Sequence, residues 1–288
     1  MQPFEVSRAV AATMAVVSSV GLIVDDTTVL WNSNKLALRL LPCDVFARVA
    51  HGGPQVAHLE VEVARRLAET ESPVAALDPR VEPRVYGRDG FAVTLWSYYE
   101  PMAPLPSTSD YADALQRLHA GMRMLDVTTP HFTDRVEEAQ QIVASRDHSP
   151  ALVDADREML RTTLQDLGRA IGHRGATEQL LHGEPHPGNV LCTNYGLRFI
   201  DLETCCRGPV EFDLAHVPEA VSDRYLDADQ ELLADCRGLV LAMVAAWRFD
   251  PGDQFPNGQR AAQELLRALR EGPPWPALDA VSLRIDGP

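Results

Sequence analysis

The period of the hydrophobic positions changes near residue 100. Val10, Met14, Val17 and Gly21 fall at helical spacing inside an uncharged stretch over 9–24, which predicts a buried N-terminal helix. Strand-like segments follow over 27–31, 36–41 and 45–50, separated by the turn signals Asn32-Ser33-Asn34 and Pro42-Cys43-Asp44. They predict an antiparallel meander. Residues 55–69 form a helical pattern with Leu59, Val63 and Leu67 on one face. Two more strands, 84–86 and 91–97, meet at the turn around Asp89-Gly90.

Residues 98–106 hold three prolines (Pro101, Pro104, Pro106), which cannot continue a sheet. Beyond them the pattern is helical over 110–124, 133–146 and 153–171. It breaks at 182–189, turns strand-like over 190–192 and 197–201, and resumes as helix over 227–249 and 257–271. No repeat or low-complexity segment interrupts it. The pattern predicts an α+β chain: a small sheet lobe over 1–97, a hinge over 98–106 and a larger helical lobe over 107–288.

Composition narrows the function. The 288 residues carry 26 Lys+Arg against 41 Asp+Glu, a net charge of −15, with 45% hydrophobic residues. That describes an ordered globular chain lacking the clustered cations a nucleic-acid binder needs. Lys35 is the sole lysine, so there is no G-x-x-x-x-G-K-[ST] phosphate loop, and Schiff-base chemistry would have to use Lys35. Five cysteines without a C-x-x-C pair suit reduced thiols in the cytosol. The uncharged stretch over 9–24 is shorter than the ~20 residues of a membrane span. It also lacks the basic start of a signal peptide, since only Arg8 precedes it, together with Glu5. The apolar run over 239–247 reads as a helix core. A soluble, cytoplasmic protein is expected, with neither nucleic-acid nor membrane partners.

The chemistry concentrates in His182-Gly183-Glu184-Pro185-His186-Pro187-Gly188-Asn189 and, twelve residues after Asn189, Asp201 in Phe199-Ile200-Asp201-Leu202-Glu203. A zinc site on His182, Glu184 and His186 would need a helix to bring i and i+4 histidines together, and the glycines and prolines prevent one. The alternative is a stiffened loop carrying a carboxylate, an amide five residues on, and a second carboxylate at a strand end. That is the logic of the kinase pattern H-R-D-x-x-x-x-N followed by the aspartate of D-F-G. Phosphoryl transfer needs a carboxylate to orient or deprotonate the attacking hydroxyl, and hard oxygens to hold magnesium against the triphosphate.

The stretch resembles the H-G-D-x-H-x-x-N signature of the aminoglycoside phosphotransferase family, whose wider clan includes choline, homoserine and methylthioribose kinases. Ile200-Asp201-Leu202-Glu203 is similar to that family's metal-binding segment, and Gly208 to Ala215 to its G-x-x-x-x-D-L-A. The resemblance implies a two-lobed protein-kinase-like fold and transfer of phosphate from ATP or GTP, with Mg²⁺, to a small-molecule hydroxyl. It implies that Glu184 is the catalytic carboxylate, that Asn189 and Asp201 are the metal ligands, and that Asp213 braces the loop through His182. In the sheet lobe it implies phosphate cover from the loop holding Ser33 and Asn34, and an adenine-binding hinge over 94–99, including Trp96 and Tyr98. The third-strand lysine of the family is Arg48 here, paired with Glu60 or Glu62. Arginine keeps the charge and offers a fork of donors.

The catalytic position also departs from the family pattern: Glu184 stands where the family has aspartate, which opens a second reading as a nucleotide-binding protein impaired in turnover. Acidic runs, eight acids against four bases over 134–166 and six against one over 219–235, suit a cationic acceptor or simple solubility.

Overall fold

The structure, a computed structural model, describes residues 1–33, 35–52, 55–103, 106–255 and 257–281. Asn34, expected in the phosphate loop, lies outside the described residues. The chain forms two compact units, Met1–Pro106 with Leu191–Thr204, and Ser107–Val190 with Cys205–Pro288.

The first unit opens with helix α1 (Pro3–Ser19), followed by strands β1 (Val24–Asn32), β2 (Leu36–Pro42) and β3 (Val45–His51), helix α2 (Gln55–Leu67), and strands β4 (Tyr86–Arg88) and β5 (Phe91–Ser97). The five strands make one antiparallel sheet in the order β1-β2-β3-β5-β4. Alternation decides its faces. Leu36, Leu38 and Leu40 of β2 and Val45, Ala47 and Val49 of β3 are fully buried and pack with Ala9, Ala12, Val16 and Val17 of α1.

The N-terminal helix differs from expectation. It runs over Pro3–Ser19 rather than 9–24, and its buried stripe is Ala9, Ala12, Thr13, Val16 and Val17. Small residues on that stripe let the helix lie close to the sheet, leaving Val10 and Met14 at its margin. Gly21 is the stop and not part of the stripe. At φ +79° it takes the left-handed turn, while Leu22 N–H bonds the Val17 carbonyl (3.0 Å) and Gly21 N–H the Ser18 carbonyl (3.2 Å).

The second unit is mainly helical: α3 (Thr108–Met122), α4 (Phe132–Ala144), α5 (Asp154–His173), and, after the strands, α6 (Val210–Leu214), α7 (Glu219–Ser222), α8 (Gln230–Arg248) and α9 (Gly258–Glu271). α8 supplies much of its core through Leu233, Cys236, Leu239, Val240, Met243 and Ala246. It begins three residues later than the pattern suggests, because the Asp229 carboxylate caps it by accepting the N–H groups of Glu231 (2.9 Å) and Leu232 (3.0 Å). All five cysteines are free thiols. Among the described residues no helix is long and apolar enough to cross a membrane.

Four further strands complete the chain: β6 (Glu178–Leu181), β7 (Val190–Thr193), β8 (Gly196–Phe199) and β9 (Cys206–Pro209). β6 and β9 pair antiparallel, with Leu181 opposite Cys206, and had no counterpart among the sequence expectations. At four residues each they are too short for alternation to declare itself. Their pairing sets the start of the 182–189 loop beside the segment that leads into α6. A side chain at Gly208 would meet the Phe132 ring at 3.0 Å, so glycine is what lets this ribbon lie against α4.

Candidate active site

In the first unit a buried charge cluster gathers on the sheet face opposite α1. Arg48 stands across from Ala37 and Thr94 in the register. Its neighbours Ala47 and Val49 belong to the α1 core, so alternation turns Arg48 towards α2. There one guanidinium nitrogen pairs with Glu60 Oε1, and another reaches Asp201 Oδ1 at 2.7 Å and lies 3.7 Å from Glu203 Oε2. Glu60 is 2% exposed. Glu62 is occupied on the outer face of α2 by Arg65 (3.1 Å) and Arg66 (2.5 Å), so Glu60 is the partner of Arg48. Burial is the largest influence on both members of the pair. It lifts the pKa of Glu60, which Arg48 pulls back in part, and it opposes the charge on Arg48, which Glu60 and then Asp201 more than restore.

Asp201 is delivered by β8. Phe199 donates to the Pro73 carbonyl (2.7 Å) and accepts from Ala75 N–H (2.9 Å), which anchors the strand. Asp201 then adopts φ +67°, a left-handed conformation that aspartate tolerates better than most residues. Lys35, at the mouth of β2, ion-pairs with Glu203. Burial, then the neighbouring Arg48, pulls its pKa down to about 8. Ser33 N–H donates to the Lys35 carbonyl (3.1 Å) across the tip of that loop.

The residues expected at an adenine-binding hinge are engaged within the same unit. Trp96 is buried, its indole donating to Thr94 Oγ1 at 2.9 Å. The ring of Tyr98 lies 3.9 Å from the Arg39 guanidinium, and its N–H bonds the Asp44 carbonyl (3.2 Å).

In the second unit the 182–189 loop is organised by Asp213 of α6, which is fully buried. Its carboxylate accepts the backbone N–H of His182 (2.9 Å) and of Gly183 (2.8 Å). Gly183 has φ +89°, and this backbone brings both N–H groups onto one carboxylate. The brace thus reaches His182 through its backbone, while the imidazole that touches Asp213 belongs to His119, with Nε2 at 3.0 Å. A carboxylate only accepts, so His119 donates from Nε2; Tyr225 Oη lies 2.9 Å from its Nδ1. No motif marks His119 in the sequence, where it is one residue of the helical pattern over 110–124.

Burial alone would raise the Asp213 pKa. The hydrogen bond from His119 and the charges of His119 and His182 hold it below its ordinary value of 3.8. Asp213→Asn is expected to cost about 1–3 kcal/mol, because an amide turns a donor towards backbone N–H groups. A lowered folded pKa means that the carboxylate's stabilisation is complete above pH 3.8 and is lost as pH falls through the folded value. The gap between native and variant in chemical denaturation should therefore be widest near neutrality and shrink in acid.

Glu184 is half-buried, and its carboxylate pairs with Arg135 in the first turn of α4. The Arg135 guanidinium lies 4.9 Å from the ring centre of Trp247 on α8, a cation–π contact that holds it. Arg135 was missed in the sequence, where it is one base in an acidic run. The Pro185 carbonyl accepts the buried Tyr111 hydroxyl, which pins the loop to α3. The 3-10 turn Pro187–Asn189 then presents Asn189, whose amide Nδ2 donates to the Glu184 carbonyl at 3.0 Å. Because that carbonyl can only accept, the amide oxygen is the end left to face a ligand.

The Asn189 amide oxygen and the Asp201 carboxylate are hard donors of the kind magnesium combines with phosphate oxygens and water. Among the described residues no three His, Cys, Asp or Glu side chains converge as a metal site, so the zinc arrangement of His182, Glu184 and His186 is not formed. Half of the fourteen acids in the two runs pair with arginine, among them Asp156 with Arg270, Glu158 with Arg161, Glu219 with Arg237, and Glu231 and Asp235 with Arg174.

Solved structures share this fold at low identity. An amicoumacin kinase, hAmiN, in complex with AMP-PNP, Ca²⁺ and Ami superposes with a TM-score of 0.72 at 10% identity, covering 96% of this chain and 98% of the other. The choline kinase LicA from Streptococcus pneumoniae gives 0.66 at 15% identity, over 90% and 98%. Spectinomycin phosphotransferase APH(9)-Ia, with ADP and spectinomycin, gives 0.64 at 12%, over 93% and 97%. The chain matches no curated protein sequence. The fold is protein-kinase-like, a sheet lobe and a helical lobe, and a family model matches residues 32–275. On that match the chain belongs to the phosphotransferase enzyme family, the APH family.

Proposed function

We propose that the protein transfers the γ-phosphoryl group of ATP or GTP to a hydroxyl of a small molecule, an antibiotic or a metabolite, in the cytoplasm. The buried Arg48–Glu60 pair that also holds Asp201 carries this reading. A guanidinium kept charged in a dry setting by two carboxylates is suited to grip phosphates, and one of those carboxylates is the metal-ligand candidate. Glu184 takes the acceptor hydroxyl's proton as its oxygen bonds the γ-phosphorus and the bond to the bridging oxygen breaks. Asn189 and Asp201 would hold Mg²⁺, which neutralises charge on the phosphates. Asp213 holds the loop that carries Glu184 and Asn189. The peptide groups of residues 94–99 would read the base.

Neighbours with antibiotics in their names support an antibiotic acceptor, and a choline kinase supports a small metabolic alcohol. Arginine pairing of the acidic runs weakens the argument for a strongly cationic one. A second reading, nucleotide binding without turnover, rests on Glu184 in place of aspartate. The ion pair with Arg135 favours the first reading, because it gives the longer carboxylate a defined place.

The test is nucleotide consumption with the native chain across a broad panel of hydroxyl compounds, with and without Mg²⁺. Turnover that needs both an acceptor and the metal is expected. Nucleotide binding with no turnover on any acceptor would establish the second reading instead.

A further inference from the structure

We propose that Lys35 is a second phosphate ligand, aimed by its ion pair with Glu203, which grips the triphosphate alongside Arg48. The inference deepens the phosphotransferase reading and rests on it. Lys35 follows directly on the β1–β2 turn and is held there by Ser33 N–H on its carbonyl (3.1 Å). Its side chain is 23% exposed, and its ammonium pairs with Glu203. Arg48 approaches the same carboxylate oxygen at 3.7 Å. Two cations of the first unit thus share one acid, two residues from Asp201.

This placement is not that of an ordinary surface ion pair. A lysine placed only for solubility would extend into water. Here burial, and next the repulsion of Arg48, pull its pKa down to about 8, so one cation is held close to another. Glu60, Asp201 and Glu203 balance the two cations, and an anion with several oxygens can take the place of Glu203 on the ammonium. A triphosphate supplies those oxygens, and an ammonium with three rotatable donors suits them as a point charge, complementing the planar fork of Arg48. Glu203 is then the partner that keeps the ammonium aimed. The stretch over 32–35 contains no glycine, and a side-chain cation there can supply a phosphate contact.

Lys35→Met keeps the aliphatic stem and removes the charge. Calorimetric titration of the full-length chain with a non-hydrolysable ATP analogue and Mg²⁺ should show binding weakened roughly ten- to hundredfold. Adenosine, which has no phosphate, should bind the variant as it binds the native chain, and Lys35→Arg should recover most of the loss. Unchanged affinity for the analogue in Lys35→Met overturns the inference while leaving the phosphotransferase reading intact. Equal losses for analogue and adenosine also overturn it, because they mark a loop that has merely lost its ion pair. A native chain that binds no nucleotide removes both.

Discussion

Glu184→Ala is expected to lower acceptor phosphorylation by about 10²- to 10⁴-fold, the range for removing a positioned general base, while nucleotide affinity stays near that of the native chain. Glu184→Asp, which restores the residue common in the family, is expected to be slower than native as well. Aspartate withdraws the carboxylate by one C–C bond, about 1.5 Å. Arg135, packed over Trp247 at 4.9 Å, cannot follow it. The shorter side chain therefore loses the ion pair that places it, and leaves a mostly buried guanidinium without its partner. A displacement of this size can cost about a hundredfold in rate. Steady-state kinetics on one responsive acceptor decide the matter. If Glu184→Asp matches or exceeds the native rate, Arg135 does not position the carboxylate, and the longer side chain is a handicap.

The second large effect is on stability. Arg48→Ala should destabilise the protein by about 3–5 kcal/mol, because it strands a buried carboxylate without its counter-charge. Glu60 is the carboxylate concerned, at 2% exposed. Arg48→Lys should destabilise less, but it cannot serve Glu60 and Asp201 at once through a planar fork. The double variant Arg48→Met with Glu60→Met should recover much of the loss while binding no nucleotide, since apolar replacements of buried ion pairs are often neutral. Chemical denaturation and nucleotide titration of the three variants separate the two roles. An Arg48→Ala chain as stable as native would mean that Glu60 is satisfied elsewhere.

These effects follow from residues of unequal visibility in the sequence. The meander β1-β2-β3 was legible because short strand-like runs are bounded by the turn signals Asn32-Ser33-Asn34 and Pro42-Cys43-Asp44. Arg48 and Glu60 were legible as a pair through family resemblance, and the burial that makes the pair matter is visible only in the fold. The first helix begins earlier than its pattern suggests because alanine counts little as a hydrophobic signal, although Ala9 and Ala12 belong, with Val16 and Val17, to the core it shares with the sheet. β6 and β9 were invisible at four residues each. The contacts of Arg135 and His119 join residues 49 and 94 positions apart. No local pattern encodes such pairings, since each side chain alone looks like an ordinary helix-surface or helix-core residue.

The solitary lysine also makes the molecule its own reporter. Amine-reactive acylating reagents have only the Lys35 side chain and the chain's α-amino group to modify, so a single internal adduct reports on one place. With its pKa pulled to about 8, that amine is substantially unprotonated in mildly alkaline buffer, where ordinary lysines are almost wholly protonated and slow to react. The fraction labelled at Lys35, read by peptide mapping so that the α-amino adduct is counted apart, would then follow occupancy of the charge cluster, with no engineered cysteine, fluorophore or known acceptor. Any compound that shields the adduct site declares itself a ligand of the first unit.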